Sequence, residues 1–145
     1  MTDRRNFIAA LAALAAAPHV AAQEDPLAPV IRELTGGAPL STGRVRIDTP
    51  RLADNGHSVP MRISVDSPMT RADHVRSITL LSPRNPRALM ARFMLGPQAG
   101  RAEISTRVRL NGTQTVLAIA QCSDGSWWSG TAQVDVTESA CLDAG

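Results

Sequence analysis

The chain has 145 residues, of which 19% are charged, and a net charge of +2 at neutral pH. Its length suffices for one domain with a hydrophobic core but not for two. Nucleic-acid and membrane-surface binding need clustered positive charge, and this near-neutral balance indicates neither partner. Arg84, Arg87 and Arg92 come nearest to a cationic cluster, and we interpret them as part of a solvated loop with scattered charges.

The N-terminus has the pattern of an export signal. Arg4-Arg5 forms a twin-arginine pattern, followed by an apolar run over residues 8–17 and by Val20-Ala21-Ala22, a small-residue cleavage site. An Arg-Arg pair also occurs in general secretion signals, and the run is shorter than the roughly 20 residues that span a bilayer. We predict a cleavable twin-arginine signal over residues 1–22 and a periplasmic mature protein of net charge +1, since the signal removes two arginines and one aspartate.

A short helix and then seven strands are predicted along the mature chain. Residues 25–34 have a helical pattern that stops at Gly36-Gly37. The apolar period then becomes two, which predicts strands near residues 44–48, 59–66, 75–81, 89–95, 102–110, 115–121 and 127–136. Seven short strands with turn signals between them predict an all-β, immunoglobulin-like antiparallel sandwich over residues 23–136, with a flexible C-terminal arm over residues 137–145.

The two cysteines, Cys122 and Cys141, differ in their predicted surroundings. Cys141 lies in the tail beyond the last predicted strand, where its thiol is available for chemistry rather than packing. Cys122 ends a strand, and the next strand runs about 30 Å away from it before the tail begins. A disulfide needs Cα atoms within about 7 Å. This topology therefore disfavours a Cys122–Cys141 bond, which stays as the alternative, and predicts Cys122 as a small buried hydrophobe.

Histidine and methionine side chains offer a second candidate site. His57 and His74 could supply imidazole ligands for periplasmic copper, together with the thioethers of Met61, Met69, Met90 and Met94. Their spacing matches no compact ligand set. Three of the methionines, Met61, Met90 and Met94, lie at alternating strand positions and are expected in the core.

The remaining conspicuous residues lie at predicted turns. Trp127-Trp128 follows a tight turn, so the two rings point to opposite faces of the sheet. We expect one ring in the core and the other at a subunit interface, where aromatic residues are enriched. Asn55 and Asp124 are interpreted as turn formers.

Several motifs, in order, resemble the SoxY family, the sulfur-carrier subunit of the periplasmic thiosulfate-oxidising system. They are residues 52–60 (LADNGHSVP), 65–69 (VDSPM), Asn85-Pro86, residues 100–110 (GRAEISTRVRL), 114–116 (QTV) and 123–128 (SDGSWW). The resemblance runs from about residue 25 to the last residue. It implies an immunoglobulin-like sandwich, twin-arginine export, a heterodimer with a SoxZ-like sandwich subunit, and a swinging C-terminal arm.

The resemblance also assigns the site residue. Cys141 matches the carrier cysteine, which holds sulfur intermediates covalently while separate periplasmic sulfur-metabolising enzymes act on them. This implies a non-catalytic carrier, with neither a metal nor a cofactor beyond the sulfur intermediate on Cys141. Whether the pairing subunit is a separate chain or a second copy of this one is left open by the sequence.

The tail departs from the family pattern around Cys141. Family members usually end in Gly-Gly-Cys-Gly-Gly, which makes a thin and flexible arm, whereas this chain has Ser139-Ala140-Cys141-Leu142-Asp143. Leu142 is bulky, and the charge of Asp143 opposes formation of the thiolate. The tail resembles that of a variant branch of the family, so the sulfur compound and the partner enzymes are not fixed by the resemblance.

Three classes of function follow from the sequence. A covalent sulfur carrier is favoured by the family motifs and by the thiol in the tail. The second is a structural or binding β-sandwich subunit whose cysteine forms a disulfide. The third is a periplasmic copper or redox protein.

Overall fold

The computed structural model describes residues 21–137. Most of the predicted signal and residues 138–145 of the predicted arm, including Cys141, lie outside the described residues. One helix, α1 (Ala28–Thr35), precedes nine strands: β1 (Leu40–Thr42), β2 (Val45–Asp48), β3 (Leu52–Ala53), β4 (Val59–Val65), β5 (Val75–Leu81), β6 (Leu89–Met94), β7 (Glu103–Val108), β8 (Gln114–Cys122) and β9 (Trp127–Val136). A short 3-10 turn, Pro97–Ala99, lies between β6 and β7.

Helix α1 begins and ends close to where the sequence predicts. The Leu27 N–H donates to Asp25 Oδ1 at 2.9 Å, and Pro29 stands in the first turn, where its missing N–H costs no hydrogen bond. The helix ends at Gly36, whose φ of 66° lies in the left-handed region that glycine adopts without strain.

The strands form two sheets. The larger has the order β1-β9-β8-β5-β6, with β3 also paired to β9, and the smaller has the order β2-β4-β7. Their inner faces enclose the main core, which includes Val59, Met61, Ile63, Ile78, Leu80, Val116 and Val134. Leu27 of the segment before α1 packs with Leu81, Ile119 and Trp127 in a second cluster, to which apolar residues of α1 add. The prediction of an all-β sandwich with a short N-terminal helix is confirmed.

All seven predicted strands are present, and the structure adds β1 and β3, which the sequence pattern does not predict. These strands are three and two residues long, too short to show an alternating pattern. They form because β9 is ten residues long and has an edge not used by β8. β1 pairs in parallel with Trp127–Ser129, and β3 pairs in parallel with Asp135–Val136.

Between these two pairings, the chain of β2 passes close to β9. A Cβ atom at Gly130 would collide with the carbonyl oxygen of Val45. Glycine is therefore required at this position by the close approach of two backbones.

The structure places one of the two tryptophans in a core, as expected, and leaves the other partly buried, so its place at a subunit interface stays a prediction. Trp127 is buried in the second cluster, beside α1. Trp128 packs against the main core, with the Arg44 guanidinium 4.5 Å from its ring centre, and its Nε1–H donates to Ser126 Oγ at 3.0 Å. Apolar residues of the N-terminal helical segment pack against Trp127.

One of the three methionines expected in the core is wrongly predicted. Met61 is buried, and Met90 packs against the main core. Met94, at the end of β6, is 72% exposed because β6 is an edge strand of the larger sheet.

Candidate functional site

The point where the predicted arm leaves the domain is fixed by hydrogen bonds. The Val136 N–H donates to Thr113 Oγ1 at 2.9 Å. The Thr137 N–H donates to the carbonyl of Ala53 at 3.1 Å, and its hydroxyl donates to the carbonyl of Asp54 at 2.7 Å. We call these five residues the arm base. The end of β9 is thus bonded on one side to the segment of β3 and on the other to the residue before β8. These bonds fix the position of Thr137, from which the predicted arm continues.

A turn after β3 supports one side of the arm base. Asn55 Oδ1 accepts the His57 N–H at 2.7 Å, which confirms Asn55 as a turn former. The carbonyl of Gly56 accepts the N–H of Leu110 at 2.8 Å and so ties this turn to the segment after β7. The motif at residues 52–60 therefore builds the surroundings of the arm base.

An ion pair lies next to the same site. Arg51 Nε is 3.0 Å from Asp135 Oδ2, and the Arg51 carbonyl accepts the Asp135 N–H at 2.7 Å. A hydrogen bond from the Gln133 amide, and then the Arg51 guanidinium, hold the pKa of Asp135 below its ordinary value. Asp135 is therefore ionised at neutral pH and accepts hydrogen bonds from both Gln133 and Arg51.

Asn85 supports the other side of the arm base by joining two loops. Its Nδ2 donates to the carbonyl of Arg109 at 2.7 Å, and its Oδ1 accepts the Asn111 N–H at 2.8 Å. Next to it, Arg84 Nη1 donates to the carbonyl of Thr113 at 2.9 Å. The loop before β6 is thereby connected through Thr113 to the end of β9.

Sequence reasoning does not assign a role to Thr113, Asn85 or Thr137. Asn85-Pro86 and Asn111-Gly112 are visible in the sequence as turn signals. What cannot be read from them is that the two turns lie side by side, since that depends on the pairing of β5 with β8 and of β4 with β7.

Cys122 lies at the opposite end of the sandwich. It is a free cysteine, 1% exposed, which confirms its prediction as a buried residue. The register places Gln121 opposite Trp127 and Gln114 opposite Val134, so the length of β8, about 26 Å, separates Cys122 from the arm base. Cys141 lies outside the described residues, and its role stays a prediction.

The two histidines do not share a site. His57 lies at the arm base end, whereas His74 lies near Cys122, where its N–H donates to Ser123 Oγ at 3.0 Å and its Nδ1 is 3.0 Å from the carbonyl of Thr70. Within residues 21–137, no group of three or more His, Cys, Asp or Glu residues could hold a metal ion. In the same range, no helix combines the length and the apolar character that crossing a membrane requires.

Asp124 has the structural role that the sequence predicts. Its Oδ1 accepts the Ser126 hydroxyl at 2.6 Å and the Ser126 N–H at 2.9 Å. These hydrogen bonds hold the pKa of Asp124 below its ordinary value. Asp124 forms the turn between β8 and β9, far from the arm base.

The fold and this site define a two-sheet β domain whose last strand is fixed by hydrogen bonds at one end of the sandwich. Residues 31–141 match the family model for the sulfur oxidation protein SoxY, and the matched region ends at Cys141. The chain therefore belongs to the SoxY family. No curated protein sequence matches the chain.

The chain is also similar to solved structures. The sulfur carrier protein SoxY from Chlorobium limicola f thiosulfatophilum is 25% identical, with a TM-score of 0.65, over 77% of this chain and 96% of that one. A superoxide reductase (neelaredoxin) from Ignicoccus hospitalis is 19% identical, with a TM-score of 0.57, over 65% and 80% of the two chains. A superoxide reductase from Nanoarchaeum equitans is 14% identical, with a TM-score of 0.55, over 66% and 100%. The likeness to the two reductases shows a shared fold alone.

Proposed function

We propose that this protein is a sulfur carrier that holds sulfur intermediates covalently on Cys141 while partner enzymes process them. The observation that carries the proposal is the family match, which runs along the domain and ends at Cys141. The solved relative from Chlorobium is itself described as a sulfur carrier protein. The role proposed is non-catalytic, because the chemistry on the cargo belongs to the partner enzymes.

The arm base supports this role through its geometry. Thr137 is held by two hydrogen bonds, so the residues that follow it start from a fixed position. Four extended residues reach up to about 14 Å, which suffices to bring the Cys141 thiol into a cleft of a docked enzyme. Tethering also raises the local concentration of the cargo at that enzyme.

The chemistry proposed for loading needs no external oxidant when the donor is a persulfide. The Cys141 thiolate attacks the outer sulfur of the donor, and a new S–S bond forms on Cys141. The S–S bond of the donor breaks, and its electron pair leaves on the donor thiolate. Atoms and electrons balance, and the cargo remains as a persulfide on the arm.

The remaining parts of the proposal follow from the sequence and the family. Residues 1–22 are proposed as a cleavable twin-arginine signal that delivers the protein to the periplasm. Residues 23–136 are proposed as the sandwich domain and residues 137–145 as the carrier arm. A SoxZ-like sandwich subunit is proposed as the pairing partner, with neither a metal nor another cofactor required.

Intact-mass measurement of protein purified from the periplasm tests the proposal. We expect reductant-sensitive adducts in multiples of the mass of sulfur, present in wild type and in Cys122→Ala but absent from Cys141→Ser. A loss of two hydrogens that disappears in both cysteine variants would show a Cys122–Cys141 disulfide and contradict the carrier. Adducts that persist in Cys141→Ser would also contradict it.

A further inference from the structure

A groove lies between the edge strands of the two sheets, near the arm base. β6 is the edge of the larger sheet and β7 is an edge of the smaller one, and the groove between them has a volume of about 510 Å³. Its lining includes Asn85, Arg87, Leu89, Met90, Arg107 and Arg109. We call it the arginine groove.

The groove carries positive charge without a matching carboxylate. Arg87, Arg107 and Arg109 are all exposed, and no acidic residue is among its lining residues. Arg107 Nη1 donates to Ser58 Oγ at 3.3 Å. Within the part of the chain that the structure describes, none of these three guanidinium groups is paired with a carboxylate. In the sequence, Arg84, Arg87 and Arg92 come nearest to a cationic cluster, but folding brings Arg107 and Arg109 to Arg87 instead.

The groove also has apolar walls. Leu89 is 43% exposed at the start of β6, and Met90, Pro86 and Val108 line the same space. A large exposed apolar side chain beside unpaired arginines suits an occupant that combines an aliphatic side chain with acidic groups.

The groove lies within reach of the arm. Asn85 belongs to its lining and also bonds to the carbonyl of Arg109 at 2.7 Å. The adjacent Arg84 donates to the carbonyl of Thr113, which is itself bonded to Val136. Arg84 and Asn85 therefore connect the end of β9 with the groove over a short distance. Five extended residues after Thr137 reach up to about 17 Å, which is enough to enter the groove.

We propose that the arginine groove reversibly binds the chain's own C-terminal segment, residues 138–145. This segment contains Glu138 and Asp143, which complement the arginines, and Leu142, which complements the apolar walls. Exposed ion pairs are weak and screened by salt, so the bound state exchanges readily with one in which Cys141 is free for a partner.

A paramagnetic label tests this contact directly. A nitroxide on Cys141 is placed in the ¹⁵N-labelled full-length mature protein, where buried Cys122 does not react. We expect selective broadening of the amide signals of Arg87, Leu89 and Arg109 at low salt, relative to the reduced label. The broadening should fall several-fold in Glu138→Gln/Asp143→Asn, in Arg87→Gln/Arg109→Gln, and in about 1 M NaCl, where the screening length is about 3 Å.

A matched control removes two exposed arginines from the other end of the sandwich. Arg71→Gln/Arg101→Gln changes the net charge equally and should leave the broadening of the groove unchanged. Broadening that is equal in all variants, or confined to residues next to Thr137, would overturn the proposal. The readout needs no sulfur on Cys141, so its failure is distinct from failure of the proposed carrier function.

Discussion

Val136 and Thr113 are joined by two hydrogen bonds across the arm base. The Val136 N–H donates to Thr113 Oγ1 at 2.9 Å, and the Thr113 hydroxyl lies 3.4 Å from the Val136 carbonyl. The last residue of β9 is thereby held by a loop side chain beyond the final β8–β9 backbone pair, which joins Gln114 to Val134. This contact fixes where a carrier arm would begin.

Replacing Thr113 with alanine should loosen the arm base. The variant loses both hydrogen bonds, at a cost of about 0.5–1.5 kcal/mol each. Amide hydrogen exchange at Val136 and Thr137 should accelerate about tenfold, with little change at the centre of β8. Thr113→Ser keeps the hydroxyl and should exchange like wild type. Equal acceleration in the serine variant would show that the hydroxyl is not the cause.

The Arg51–Asp135 pair should make the arm base sensitive to acid. Hydrogen bonds from Gln133 and Arg51 hold the pKa of Asp135 below its ordinary value, so the ionised carboxylate favours the folded state. Its contribution is fully present above the pKa of the carboxyl in the unfolded chain and is lost as the pH falls through the lower folded pKa. The protection factors of the Val136 and Thr137 amides, which compare their exchange with that of an unfolded chain, should therefore fall in this window. Asp135→Asn should remove that pH dependence.

Asp124 provides a control for this titration. Its pKa is also lowered, by hydrogen bonds from Ser126, but it lies at the other end of β9. Asp124→Asn should leave the pH dependence of exchange at Thr137 unchanged. If it removes that dependence as well, acid acts on the whole sheet rather than on the Arg51–Asp135 pair.

The two cysteines should respond differently to substitution. Cys141→Ser is expected to abolish sulfur loading and to leave the thermal midpoint nearly unchanged, because residue 141 follows the last core strand. Cys122→Ser places a hydroxyl in a site that is 1% exposed and should cost about 1–3 kcal/mol while loading is retained. Intact mass and urea unfolding measure the two effects. A similar loss of stability in Cys141→Ser would contradict the assignment of residue 141 to an arm.

Truncation after Thr137 should leave pairing with the proposed SoxZ-like subunit intact. The described sandwich keeps its core and the hydrogen bonds of Thr137 to Ala53 and Asp54 without the residues beyond. We expect the truncated domain to co-purify with the partner in the same ratio as the full mature chain. Loss of co-purification with an unchanged unfolding midpoint would place part of the interface on the arm.

The sequence predicts the strands better than it predicts the site. Alternation of apolar residues locates β4, which has one face on the main core. β5 and β8 are buried along most of their length, because the second cluster covers their other face. Alternation does not locate β3, whose two residues pair with β9 only because the chain returns there. For the same reason it gives no role to Thr113, whose partner Val136 is distant in sequence. Arg87 precedes β6 and Arg109 follows β7, and these strands belong to different sheets, so the shared groove follows from tertiary packing alone.

The composition of the arm should tune the reactivity of Cys141. Asp143 disfavours the thiolate, so Leu142→Gly/Asp143→Gly should lower the thiol's pKa and raise the rate of alkylation by iodoacetamide near neutral pH, by about threefold at low salt. The gain should shrink as salt is added, because exposed charges are screened over about 10 Å at ordinary ionic strength.

Binding of the arm to the arginine groove would act on the same thiol, so the comparison is best made in the Arg87→Gln/Arg109→Gln background. There the groove no longer attracts the segment, and any change in the alkylation profile with pH reports Asp143 itself. The midpoint of that profile gives the pKa of the Cys141 thiol, and its plateau gives the accessibility of the thiolate to iodoacetamide. A midpoint that does not move at low salt would show that Asp143 leaves the thiol unperturbed, and the departure from glycine would then have to serve contacts with the groove or with a partner.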